Sequence, residues 1–143
     1  ASDVYKRQVE CTLTPGNGDP DLTGATVTIV NAQTNIELNL TNGSLNAPAD
    51  NKSGDVKMNS TITPNTYIGI IPPQTFTAGS QFLKITLDNG GDFYYTIPAA
   101  GLTLGKENVY KYTITVNRTG LSIKSSIEPW GNGGGNSGNA EMQ

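Results

Sequence analysis

The oxygen-bearing side chains of Asn17, Asp19 and Asp21 alternate along Asn17-Gly18-Asp19-Pro20-Asp21, which is how a loop begins to ring a calcium ion. The downstream bidentate Glu of such a loop is missing and Pro20 suits a plain polar turn, so no metal is assigned. Asp88 and Asp92 form a second carboxylate pair, flanking Asn89-Gly90-Gly91. Around a glycine turn they read as hairpin residues rather than as the converging acid and base of a glycosidase. Cys11, the one cysteine, sits in Val9-Glu10-Cys11-Thr12-Leu13, where a small apolar strand residue is expected rather than a reactive thiol. Gly131 to Gly135 has no strand-to-helix setting and no Lys-Ser/Thr after it, so it is not a phosphate loop.

The N-x-S/T triplets at Asn39, Asn42, Asn51, Asn59 and Asn117 are what chance yields in a chain rich in Asn, Ser and Thr. Trp130, the one tryptophan, follows Glu128-Pro129. It could stack a sugar ring, but a tryptophan folded back over the end of a sheet is the simpler expectation. The chain has no histidine, which removes the usual general base, the Ser/His and Cys/His pairs and His-ligated metals. No catalytic residue, cofactor or metal is therefore expected, and the chain does not read as an enzyme.

The elements that would position any site are strands. Thr, Ile, Val and Tyr are plentiful, and 17 Gly with 8 Pro supply turns. At 143 residues the chain fits one domain with a real core. The net charge of −3 gives nucleic acid nothing to bind, and no apolar run approaches the ~20 residues of a membrane span.

Period-two alternation recurs throughout, without a helical period. Ala25, Val27 and Ile29 share one face; Ile36, Leu38 and Leu40 precede an Asn42-Gly43 turn; Val56 and Met58 mark a short strand. Residues 67–71 are apolar on both faces, as in a central strand, and Pro72-Pro73 ends it. In the hairpin from Gln81 to Pro98, pairing Leu87 with Phe93 and Ile85 with Tyr95 puts all apolar residues on one side, with a three-residue loop at Asn89-Gly90-Gly91. Tyr110, Tyr112, Ile114 and Val116 alternate along a long strand, and Asn117 to Gly120 turns into Leu121, Ile123 and Ile127. Eight or nine such strands predict an all-β, antiparallel two-sheet β-sandwich with Greek-key links.

Three segments are expected. Residues 1–8 form a non-native leader, because Ser2-Asp3-Val4-Tyr5-Lys6-Arg7-Gln8 resembles the translation of a transposon end used in preparing sequencing libraries. Residues 9–130 form the sandwich domain. Residues 131–143 form a flexible Gly/Asn-rich tail.

The C-terminal half also resembles the fimbrillin family of Bacteroidales. The resemblance lies in Ile71-Pro72-Pro73-Gln74-Thr75, Phe82-Leu83-Lys84-Ile85, Phe93-Tyr94-Tyr95-Thr96-Ile97, the run from Leu104 to Val116, and Thr119-Gly120-Leu121-Ser122-Ile123 followed by Ser126-Ile127-Glu128-Pro129-Trp130-Gly131. It spans roughly residues 60–131 and implies the C-terminal domain of a type V pilus subunit or adhesin. The implied fold is a transthyretin-like sandwich, and the implied location a fimbrium on the cell surface, associated with the outer membrane. The implied partners are other pilus subunits, joined by strand addition once proteolysis frees a groove, and a host protein or glycan receptor. The other reading is a carbohydrate-binding sandwich of a surface glycan-binding or glycan-degrading protein, which clustered exposed aromatics, Trp130 with Tyr94 or Tyr67, would favour.

Overall fold

The computed structural model describes residues 6–35, 52–88, 91–105 and 109–118, together with the backbone pairing of 37–38, 45–46, 123–130 and 138–141. Its strands, in chain order, are β1 (Arg7–Pro15), β2 (Thr26–Gln33), β3 (Glu37–Leu38), β4 (Leu45–Asn46), β5 (Ser53–Lys57), β6 (Asn59–Ser60) and β7 (Thr66–Ile71). There follow β8 (Gln74–Phe76), β9 (Gln81–Thr86), β10 (Asp92–Thr96), β11 (Leu102–Leu104), β12 (Val109–Val116), β13 (Ile123–Trp130) and β14 (Gly138–Glu141). A six-stranded sheet in the order β14-β13-β12-β1-β7-β6 faces a four-stranded sheet in the order β10-β9-β2-β5, and β8–β11 and β3–β4 form small ribbons. The described residues are all-β, as the alternation requires.

Alternation also built the core. Val9, Cys11 and Leu13 of β1 and Tyr110, Tyr112, Ile114 and Val116 of β12 turn inward, opposite Val27 and Ile29 of β2 and Leu83 and Ile85 of β9. Tyr112 and Tyr95 meet across the layers with ring centroids 5.6 Å apart, and Phe82 lies 5.5 Å from Tyr112 and 4.7 Å from Phe76. Edge-on and tilted packing of this kind adds to the burial of each ring.

The pairing departs from the expected all-antiparallel scheme at one place: β1 runs parallel to β12, from Gln8 opposite Val109 to Pro15 opposite Val116. On its other side β1 is antiparallel to β7, and the pairing starts at Arg7, opposite Ile71. The short strand expected at Val56 and Met58 is β5, which pairs with β2 through Val56 and Lys57, and at Met58 the chain crosses between layers. Met58 N–H donates to Val27 O at 2.8 Å, while the next two residues pair with β7 as β6. One segment thus borders both sheets. β7 is the inner strand that its sequence suggested, although Ile70 is 53% exposed on the outer face.

The β9–β10 hairpin is in the expected place with a corrected register. Phe93 pairs with Ile85 and Tyr95 with Leu83, two residues away from the expected partners. The first pair is Thr86 with Asp92, and Leu87 N–H donates to Gly91 O at 3.1 Å. Gly91 has φ of +106°, which a side chain would strain. A slip of two leaves residues 83–87 and 92–95 on their expected faces, which is why the pattern alone could not detect it; a further register shift at Tyr95/Thr96 accompanies the burial of Phe82 beside Leu83. The Asn42-Gly43 turn and the Asn89-Gly90 pair lie outside the described residues. Gly138 to Glu141, within the stretch expected to be a tail, pair with β13 as β14.

Candidate assembly interface

β1 fills a slot between two strands that meet only through it. Its alternation of types (Val, Cys, Leu inward; Gln, Glu, Thr outward) sets its two faces. Val9, Cys11 and Leu13 are at most 1% exposed. On the outer face Glu10 pairs with Lys111 across the parallel ladder at 3.8 Å, and two Thr–Thr hydroxyl bonds of 3.1 Å, Thr12–Thr66 and Thr14–Thr115, tie β1 to each neighbour. Such a strand is gripped by main-chain ladders on both edges and by an apolar row beneath, the arrangement that strand addition uses.

The ends of the slot are fixed by side chain to backbone bonds. At the start, Arg7 is buried, and its Nε and one terminal nitrogen donate to Gly105 O at 3.1 and 2.6 Å. Gly105 N–H in turn donates to the Tyr110 hydroxyl at 3.0 Å. At the far end, the buried Asn117 accepts from Asn17 N–H at 2.7 Å through its Oδ1. That use of the side chain leaves Asn117 unsuited to a glycan. Asn59 is exposed in β6, and Asn39, Asn42 and Asn51 lie outside the described residues.

The Asn17 to Asp21 segment is a polar turn, as its proline suggested. Asp19 N–H donates to Gly16 O at 3.0 Å, and Asp21 Oδ1 accepts from Thr23 N–H at 3.0 Å. That bond holds the exposed Asp21 carboxyl below its usual range. An open hollow of about 390 Å³ beside it is lined by Pro15, Pro20 and Leu22 as well as by Asp19 and Asp21. Among the described residues no three acidic, cysteine or histidine side chains gather where they could hold a metal ion.

Asp92 belongs to its hairpin: it accepts from the Thr86 hydroxyl at 2.9 Å and pairs with Lys84 at 3.8 Å. Burial pushes the Cys11 thiol far above its ordinary range, the reverse of what a nucleophile needs. Tyr67 is buried and its hydroxyl donates to Ala25 O at 2.8 Å, so it offers no platform to a sugar. Tyr94 does remain exposed, on β10. Trp130 ends β13 opposite Val109, in the other sheet, and its side chain lies outside the described residues.

Residues 7–130 match the family model described as fimbrillin-like. The chain belongs to the fimbrillin-like family. That family consists of fimbrial structural subunits and is not a family of enzymes. The chain is 32% identical over 137 residues to a candidate fimbrium subunit, Fim1C, of Bacteroides uniformis, with 86% of this chain and 42% of that protein covered. Its fold is similar to that of a candidate cell adhesion protein from Bacteroides uniformis, with a TM-score of 0.69 at 24% identity over 88% of this chain and 51% of the other. It is also similar to the tip fimbrial protein Mfa3 of Porphyromonas gingivalis, with a TM-score of 0.59 at 15% identity over 88% and 52%. This fimbrillin-like chain spans about half the length of the relatives it matches.

The sequence had marked β1 as a strand and missed its importance. Alternation names the residues of a strand but not its neighbours, and the parallel partner is about 100 residues away.

Proposed function

We propose that this fimbrillin-like chain is part of a cell-surface fimbrial subunit that joins its neighbours by strand addition at the slot filled by β1. The observation that carries this reading is the lodging of β1 between β7 and β12, which have no other contact with each other in the sheet order. A segment in that position can be exchanged for another of the same alternation without rebuilding either sheet. The incoming strand would satisfy two rows of backbone groups and bury three apolar side chains. Left empty, the slot would expose two sticky edges at once, which favours rapid filling by another copy. The named relatives, a candidate fimbrium subunit and a tip fimbrial protein, support the same reading.

The test is a protease site inserted between Gly18 and Asp19, both exposed in the loop after β1. Once nicked, the purified chain should exchange its 1–18 fragment for an added fluorescent copy of that fragment, detectable by gel filtration. A Thr12→Cys/Thr66→Cys disulfide, at positions whose hydroxyls lie 3.1 Å apart, should hold β1 in place and block that exchange. A nicked, unlocked chain that stays folded and takes up none of the added fragment would refute the reading.

A further inference from the structure

The outer face of the four-stranded sheet carries a constellation that strand addition does not use. Tyr94 of β10 lies directly opposite Lys84 of β9, Lys84 opposite Thr28 of β2, and Thr28 opposite Lys57 of β5. Residues opposite one another in antiparallel ladders share a face, so these four form one row across all four strands. The inward rows beside them, Phe93–Ile85–Val27 and Tyr95–Leu83–Ile29, belong to the core. Tyr94 is 38% exposed, Lys57 is exposed, and Lys84 lies between them with 34% of its side chain open to solvent. Asp92, two residues before Tyr94 on the same face, is held from two sides by the Thr86 hydroxyl at 2.9 Å and Lys84 Nζ at 3.8 Å.

We propose that this row is a binding site for a short oligosaccharide, with Tyr94 as the stacking platform and the Lys84–Asp92 pair as the hydroxyl reader. The chemistry suits a sugar. A pyranose ring has an apolar C–H face that packs on an aromatic ring, and hydroxyls around its rim that both donate and accept. An ammonium beside a carboxylate offers a donor and an acceptor close together, which two neighbouring hydroxyls can satisfy at once. The carboxylate oxygens have lone pairs to spare after Thr86 and Lys84, and their position is fixed before any ligand arrives, which lowers the ordering cost of binding. Three strand spacings separate Tyr94 from Lys57, about 14 Å, so Lys57 stands where an acidic sugar at the far end of a short chain would meet a cation. A protein partner of ordinary size would require a broader apolar centre than one tyrosine among hydrophilic neighbours. A shallow site of this kind binds weakly by itself. Repeated along a fibre of the kind proposed above, it would gain from multivalency, but the site itself requires only one chain.

The experiment is saturation-transfer NMR on the intact monomeric chain with lactose, maltose, N,N′-diacetylchitobiose and sialyllactose. At least one sugar is expected to bind and to shift the amides of β9 and β10. Tyr94→Ala should weaken that binding about tenfold, Tyr94→Phe should change it less than about threefold, and Asp92→Asn should weaken it while thermal stability stays the same. If sialyllactose binds better than lactose, Lys57→Gln should abolish the difference. The proposal is overturned if none of the four sugars binds at ~10 mM, or if Tyr94→Ala binds as the unaltered chain does. Because the monomer is assayed, failure here leaves strand addition untouched, and a chain that cannot assemble could still bind sugar.

Discussion

The β9–β10 hairpin and the β1 slot are both built from strands of alternating residues, yet they are held in opposite ways. The hairpin closes on itself through one short loop, so its pairing is local and its two strands are neighbours in the chain. β1 takes both neighbours from far along the sequence: Thr12 pairs with Thr66 on one side and with Thr113 on the other. The first arrangement makes a stable face on which fixed side chains can be displayed. The second makes a seam, cohesive when filled, whose contents are not dictated by chain connectivity. The two proposals divide along this difference, with recognition on the outer face of the hairpin sheet and assembly at the slot.

The largest expected effect lies where the two regions meet. Phe82, fully buried, touches Phe76, Tyr95 and Tyr112, so Phe82→Ala should destabilise the fold by about 4 kcal/mol. Leu13→Ala in the slot should lower stability by about 3 kcal/mol, measured by urea denaturation. It should also speed the release of β1 from a nicked chain, whereas Phe82→Ala should affect both regions alike. Equal effects of the two changes on β1 release would erase the distinction between seam and face.

A second way to separate the regions is alkaline pH. Burial raises the Cys11 thiol above its ordinary value of 9.0 and holds the Tyr112 phenol well above its ordinary 10.0. Both groups keep their protons more tightly when folded than when unfolded. Their contribution is therefore intact below the unfolded values and declines as the pH rises past them, at about 1.4 kcal/mol per pH unit per group. Stability should begin to fall near pH 9 in the unaltered chain. In Cys11→Val the fall should begin nearer pH 10, where the tyrosines take over. An unchanged onset would mean that the slot residue is not what titrates. A smaller effect should come from Tyr112→Phe. The Tyr112 hydroxyl is buried without a hydrogen-bond partner among the described residues, so its removal should stabilise the chain by ~1 kcal/mol. At the bottom of the scale, Asp92→Asn, which weakens an exposed ion pair, should shift stability by less than about 0.5 kcal/mol.

The same contrast explains how much was legible in the sequence. Period two marked the inward rows of β2, β9, β10 and β12 and the strand nature of β1, because burial of one face imposes that spacing whatever the partner. Partners were legible only where a turn supplied them, and even there the hairpin register slipped by two, since both registers bury the same residues. The parallel β1–β12 ladder left no local trace. The bulge in β2 between Ile29 and Ala32, where Asn31 takes φ of +55°, likewise left no local trace, and it lies beyond Ile29, the last residue paired with β9. Tyr94 was legible as a candidate exposed aromatic, but only the observed register sets it opposite Lys84 and, through Thr28, in line with Lys57.

The slot is tested most directly by exchange of β1 itself. The chain nicked between Gly18 and Asp19 would be incubated with a fluorescent peptide of the sequence from Lys6 to Gly16, and bound fluorescence followed by gel filtration. The peptide should displace β1 and coelute with the folded body, while a peptide with Leu13→Asp and Val9→Asp should not. Incorporation of neither peptide, or of both equally, would contradict a slot that selects a strand by its alternating apolar side chains.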